Sequence, residues 1–218
     1  MSADAPVPTV PCAICGKPPG VCICDRAQPV ATKLRVVILQ HPQEDDALLG
    51  TARLVTATLP KAEIRVGLSW ASLDQATGTR KADRERWAVL STARLPVPVP
   101  EELRTEPVVV LDRKGRARDL RRHGLEGIIV LDGTWSQAKT LWWRNAWLLK
   151  LPRIVLKPGE PSMYGRLRKS PRKEWVSTLE AIAEVLPALG EPEPVRTNLR
   201  RLLRTLLQRA RDRTRIGE

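Results

Sequence analysis

The stretch Gly127-Ile128-Ile129-Val130-Leu131-Asp132-Gly133-Thr134-Trp135 decides the fold. Its four consecutive apolar residues lack the alternation of a half-exposed strand, so they read as a strand covered on both faces, as in a parallel sheet. A polar turn, Asp132-Gly133-Thr134, follows. From Trp135 to about Leu149 the spacing of Trp135, Ala138, Trp142 and Leu149 predicts a helix. A buried strand, a turn and a helix make up the repeating unit of α/β proteins, whose ligands gather at the carboxyl ends of the strands.

The same rhythm extends outward. Residues 34–39 read as a buried strand closed by Gln40-His41-Pro42, and residues 47–59 as a helix with Leu48, Ala52, Val55 and Leu59 on one stripe. Residues 64–68 and 87–90 are weaker strand candidates with a polar loop between them, and residues 96–100 are a Pro-rich connector. Residues 108–111 repeat the doubly covered pattern, and residues 154–156 form another short strand. Ser177-Thr178-Leu179-Glu180 has the form of a capping box, after which Pro187 ends or kinks the helix. A last helix over 197–214 carries Leu199, Leu202, Leu203, Leu206, Leu207 and Ala210 on one side and Arg200, Arg201, Arg204 and Arg211 on the other. The expectation is an α/β layered domain with a mostly parallel sheet over 31–218, ending in a basic amphipathic helix. Residues 1–30 form a separate small module.

The 218 residues suffice for one continuous core. Lys and Arg number 37 against 24 Asp and Glu, and the resulting +13 directs attention to a polyanionic partner, nucleic acid before membrane. No apolar run approaches bilayer length and the amino terminus lacks the pattern of a secretory signal, so a cytoplasmic protein is expected. In that compartment Cys12, Cys15, Cys22 and Cys24, spaced C-x2-C-x6-C-x-C around Pro18-Pro19-Gly20, read as a closed four-thiolate metal site rather than as disulfides. Structural zinc is the default occupant and an iron centre the alternative.

Asp132-Gly133-Thr134-Trp135 is the leading site candidate. Gly133 permits close backbone approach, helix-start amides receive polar groups, a carboxylate accepts ribose hydroxyls and an indole covers an adenine ring. A helix cap at Asp132 or Thr134 and a core role for Trp135 are equally open readings. The cations fall into three groups: Arg113 to Arg122, then Arg166, Arg168, Lys169, Arg172 and Lys173, then the last helix. Such groups supply phosphate contacts, and Tyr164 is placed to stack an unpaired base. His41 has no nucleophile pattern beside it and reads as structural.

Several of these segments occur together, in order, in one known family. The cysteine cluster, Leu39-Gln40-His41-Pro42 with Glu44 and Thr51, the DGTW turn with Ala138 and Lys139, Pro161-Ser162 with Tyr164, and Ser177-Thr178-Leu179-Glu180-Ala181 resemble the DTW-domain family of tRNA-uridine aminocarboxypropyltransferases. The resemblance spans about residues 12 to 185. It implies a SPOUT-like domain with a C-terminal knot, plus the N-terminal zinc-binding module. It further implies S-adenosylmethionine as co-substrate and tRNA as partner, with transfer of the 3-amino-3-carboxypropyl group to uridine N3 and release of methylthioadenosine. By the same resemblance Asp132 touches the ribose, Trp135 belongs to the adenine pocket, Leu131 and Thr134 complete that cradle, and Ser177 and Thr178 border it. Asp132 and Glu180 are the candidates for the base that takes the N3 proton, Glu180 having the capping box as its bland role. A monomer without membrane attachment is expected. The same transfer to ribosomal RNA, a non-catalytic zinc-containing RNA-binding module and a metal-thiolate electron carrier are the alternatives.

Overall fold

The structure is a computed structural model that describes residues 10–91, 101, 105–118, 124–157, 159–165, 167 and 176–216. Six strands, β1 (Arg35–Gln40), β2 (Ala62–Val66), β3 (Trp87–Ser91), β4 (Val108–Leu111), β5 (Gly127–Asp132) and β6 (Arg153–Leu156), form one sheet in the order β2-β1-β5-β3-β6-β4. All pairs are parallel except β4 with β6. The mixed α/β, mostly parallel expectation therefore holds. β5, the strand read first, lies between β1 and β3, and all six of its residues are buried.

β4 departs from expectation. It is an edge strand running antiparallel to β6, with Val110 opposite Ile154. Its apolar run encodes burial of both faces, which Val109, Val110 and Leu111 achieve, but burial carries no information about direction.

Among the described residues five α-helices flank the sheet: α1 (Ala52–Thr58), α2 (Leu73–Thr77), α3 (Trp135–Arg144), α4 (Thr178–Ala188) and α5 (Pro194–Ile216). One side of the sheet packs Val36, Ile38, Ile128 and Val130 against α1, α4 and the leucines of α5, while the other packs Val37, Leu39, Ile129 and Leu131 against α3 and Trp147. Alternate residues of β1 and β5 thus feed two separate cores, as strand pleating requires.

Three local conflicts reset the predicted boundaries. α1 begins at Ala52 because Asp46 turns the chain first: its carbonyl accepts from the Gly50 N–H at 2.8 Å and its carboxylate from the Leu49 N–H at 2.7 Å. A side chain at Gly50 would meet the Asp46 carbonyl oxygen at 2.5 Å. α3 stops at Arg144 because buried Asn145 donates from Nδ2 to the carbonyls of Leu141 and Leu68, and a 3-10 turn over Ala146–Lys150 follows. α2 occupies the polar stretch read as a loop, with Ser72 as its N-cap and Gly78, at φ 65°, as its left-handed C-cap.

Residues 10–30 contain only a 3-10 turn, Cys24–Arg26, as regular structure. They nonetheless share the main core, since Cys15, Val21 and Ile23 pack in the cluster that holds the α5 leucines. α5 also secures the segment from outside: Arg209 donates to the Cys22 carbonyl and Arg201 to the Arg26 carbonyl at 3.2 Å. The residues of the Pro-rich connector, 96–100, lie outside those described. Among the described residues no helix is long and apolar enough to cross a membrane.

Candidate functional site

A cleft of about 710 Å³ opens at the carboxyl ends of β1 and β5, within the range of small-molecule sites. Its floor is Asp132. Parallel register puts Gln40 of β1 directly beside Asp132 of β5, and Gln40 Nε2 donates to Asp132 Oδ2 at 2.7 Å. The hydroxyl of Thr178, at the start of α4, donates to the other oxygen, Oδ1. Asp132 is 8% exposed, so a carboxylate at the edge of water is held in one orientation by two neutral donors. Each carboxylate oxygen retains lone-pair capacity for a further donor.

Gly133 and Thr134 then launch α3. Gly133 sits at φ 145°, and a Cβ there would meet Gln137 Cβ and Oε1 at 2.9 Å, so only glycine fits. The Thr134 hydroxyl accepts from the Gln137 N–H at 3.4 Å, while Gln137 Oε1 accepts from the Thr134 N–H at 2.6 Å, a complete capping box. Trp135, half-buried, forms part of the cleft wall. The cap reading of Thr134 and its cleft position are both realised. Leu131 is fully buried with its side chain in the α3 core, which leaves its backbone alone near the cleft.

The α4 side is built by a second capping box. Ser177 Oγ accepts from the Glu180 N–H at 3.2 Å, and Glu180 accepts from the Ser177 N–H at 2.8 Å, which places Ser177 and Thr178 on the cleft lining. Glu180 itself is 7% exposed and also accepts from the Met163 N–H at 2.7 Å and the Ser162 hydroxyl at 2.9 Å. Its carboxylate is spent on ordering residues 162–163 and the start of α4, and it does not line the cleft. The capping-box role of Glu180 is thus present in the structure.

Tyr164 is likewise held by the fold. Its ring is 3% exposed and packed in the main core, and its hydroxyl donates to the Leu49 carbonyl at 2.6 Å. It also lines the cleft and ties the 161–165 segment to the loop before α1. Arg166, Arg168, Lys169, Arg172 and Lys173 lie outside the described residues, as do Arg121 and Arg122. Of the remaining cations, Arg116 pairs with Asp112, Arg118 with Glu85, and Arg200 with Glu160 and Glu184, so part of the positive charge is neutralised within the fold.

Residues to which sequence reasoning gave no site role come from the loop between β1 and α1 and from α1 itself. Glu44, Asp45 and Asp46 line the cleft together with Arg53, which has no carboxylate within salt-bridge distance among the described residues. Gln40 had a legible signal: in a parallel sheet the polar residue ending the strand next to Asp132 is its natural neighbour. His41 is structural as expected, accepting at Nδ1 from the Gln43 N–H at 3.2 Å and buried under Gly133.

The Cys module forms a further wall, through Cys15 and Gly16. The four Sγ atoms lie within 4.8 Å of one another, with Cys12 to Cys24 at 3.8 Å and Cys15 to Cys22 at 3.7 Å. A tetrahedral zinc with ~2.3 Å bonds sets sulfur–sulfur edges of about 3.8 Å. Two of the sulfur–sulfur distances match that edge, and the four-thiolate donor set suits that ion. Backbone N–H groups of Cys15 and Ile14 lower the Cys12 thiol to about 6, as suits a ligating thiolate, whereas burial pushes Cys22 and Cys24 up. Such burial disfavours free thiolates, and a bound dication reverses that cost. Lys17, fully buried, donates from Nζ to the carbonyls of Leu48 and Gly50 at 2.9 and 2.7 Å and so clamps the module to the cleft loop.

Relatives named tRNA-uridine aminocarboxypropyltransferase 2 occur in Macaca fascicularis (29% identical over 203 residues), Mus musculus (30% over 206) and Drosophila melanogaster (29% over 211). These matches take in 89%, 89% and 94% of this chain and 61%, 61% and 77% of the relatives, so the chain spans about three-fifths of the two mammalian proteins. No solved structure gives a significant match. The DTW domain profile matches residues 10–211, from the cysteine cluster into the C-terminal helix, and the chain belongs to the DTW domain family.

Proposed function

We propose that the protein transfers the 3-amino-3-carboxypropyl group of S-adenosylmethionine to N3 of a uridine in tRNA, giving the aminocarboxypropyl-uridine and methylthioadenosine. The observation that carries this reading is the fixed Asp132 carboxylate beneath a cleft at the strand ends, in a chain of this family. The relatives' names support the reaction class and the tRNA acceptor.

In the reaction, uridine N3 loses its proton and attacks the γ-carbon of the aminocarboxypropyl chain. The N–C bond forms as the C–S bond breaks, and sulfur keeps the electron pair and becomes a neutral thioether. A sulfonium presents three carbons to a nucleophile, so selectivity is a matter of which carbon is aimed. Asp132 anchors the ribose through the lone pairs left free by Gln40 and Thr178. Trp135 covers the adenine, and the Leu131 and Thr134 backbone borders it. Arg53 and the acids Glu44, Asp45 and Asp46 provide the two charge signs that a zwitterionic amino acid group needs. Asp132 is engaged in this anchoring, so proton removal falls to solvent or to an acid of the β1–α1 loop. Cys12, Cys15, Cys22 and Cys24 would hold a zinc in a closed four-thiolate site, where it would stabilise a cleft wall. The SPOUT-like character with a C-terminal knot belongs to the same proposal, and the mostly parallel sheet supports its α/β part.

The test is incubation of the zinc-loaded protein with unmodified tRNA and S-adenosylmethionine, followed by nucleoside mass analysis. Aminocarboxypropyl-uridine is the expected product. Methylated uridine, or the adduct in ribosomal RNA only, would contradict it.

A further inference from the structure

Residues 133–159 contain five cations, Lys139, Arg144, Lys150, Arg153 and Lys157, and no acid, together with four of the seven tryptophans. Three of those indoles have structural duties. Trp142 packs inward beneath the Arg153 guanidinium, Trp147 donates from Nε1 to the Trp70 carbonyl at 2.9 Å, and Trp135 walls the cleft. Trp143 has none of these. It is 68% exposed on α3, a helix without a single carboxylate.

Helical spacing sets Trp143 on one outward face with Ser136, Lys139 and Thr140. Ser136 lines the cleft, so this face runs directly out of the site. The rise from Ser136 to Trp143 is about 10 Å, or about three stacked nucleotide steps. Lys139 and Arg144, both exposed, flank the indole, and neither makes an ion pair with a described residue. A large exposed aromatic is unfavourable in water, and neighbouring cations would repel a cationic partner but attract a polyanion. Indole with interleaved cations is the composition of a single-strand stacking platform, where the ring takes the base and the cations take phosphates.

We propose that the outer face of α3 is a nucleic-acid platform, on which Trp143 stacks an unpaired base near the reacting uridine while Lys139 and Arg144 hold the flanking phosphates. The proposal rests on the RNA-acceptor reading above and adds where the strand leaves the cleft.

The experiment uses the full zinc-loaded chain with fluorescently labelled tRNA, measuring anisotropy across a salt series and steady-state transfer. Trp143→Ala is expected to weaken tRNA binding at least fivefold and to raise KM for tRNA with little change in kcat. Trp143→Phe is expected to restore most of the affinity, since an aromatic face suffices. Lys139→Gln is expected to flatten the salt dependence by about one phosphate contact. Calorimetric affinity for S-adenosylmethionine stays at the wild-type value in all three. The proposal is overturned if tRNA affinity is unchanged in Trp143→Ala and in Lys139→Gln, or if the patch instead mediates a concentration-dependent dimer that Trp143→Ala abolishes while tRNA affinity stays constant. Should Trp143→Ala fold poorly, Lys139→Gln, which removes no packed group, decides alone. A wild-type protein that neither binds nor modifies tRNA defeats the functional reading itself, whereas active wild type with indifferent variants defeats only the platform.

Discussion

The Thr178 hydroxyl donates to Oδ1 of Asp132 across 46 positions of sequence, joining the start of α4 to the end of β5. This bond connects the two capping-box turns that flank the cleft, so the carboxylate and the α4 wall are positioned together. Thr178→Val keeps the shape and removes the donor. We expect it to weaken S-adenosylmethionine binding about tenfold, the equivalent of ~1.4 kcal/mol, with tRNA affinity unchanged. Calorimetry with each ligand separately checks this, and parallel loss of both would contradict the separation of cofactor and RNA contacts.

Removal of the metal should act on stability before chemistry. Cys22→Ser, or chelation of the wild type, is expected to lower Tm by several degrees, at about 2–4 °C per kcal/mol for a chain of this size. The cause is loss of the cross-link beneath Lys17 and α5. Elemental analysis should find one zinc per wild-type chain and far less in the variant. A variant with full zinc content would contradict ligation by all four cysteines.

Gly133→Ala should impair the site without unfolding the sheet. The φ of 145° costs an alanine about 1–3 kcal/mol, and the new methyl pushes Gln137 out of the α3 capping box. Weakened S-adenosylmethionine binding at a near-normal far-ultraviolet spectrum is the expected outcome, and normal binding would show that the turn does not need its conformation.

Gly127→Val addresses the core instead. A Cβ at Gly127 would lie 2.6 Å from the Trp87 ring, which fills the space on the neighbouring strand. Denaturant unfolding should show a loss of about 1–3 kcal/mol from overpacking. No loss would mean that the indole moves freely.

Glu191 caps the start of β1 from the α4–α5 turn, accepting from the Lys33 and Leu34 N–H groups at 3.0 and 2.7 Å. Glu191→Ala leaves two amides without their acceptor in a buried place and is expected to cost about 1–3 kcal/mol in the same assay.

What the residues disclosed in advance follows from what burial and capping write into sequence. The doubly covered β5 run, the Ser177 box and the α5 leucine stripe were legible because each is a local pattern with a single physical cause. The direction of β4 was not, since an apolar run is the same read either way. Asp132 was legible through its place between strand and helix, and the four cysteines through their crowding. Glu180 shows the opposite case: whether its carboxylate faces a ligand or the Met163 and Ser177 amides depends on how residues 162–163 fold back, a long-range event absent from the S-x-x-E pattern. The burial of Tyr164 was illegible for the same reason, its hydroxyl having found a carbonyl 115 residues away.

The spent cofactor tests the account most directly. Chromatography of a reaction with unmodified tRNA should show methylthioadenosine formed mole for mole with modified uridine, and neither formed by Asp132→Ala at wild-type tRNA occupancy. Accumulation of S-adenosylhomocysteine, or undiminished turnover by Asp132→Ala, would contradict the assignment of this cleft to aminocarboxypropyl transfer.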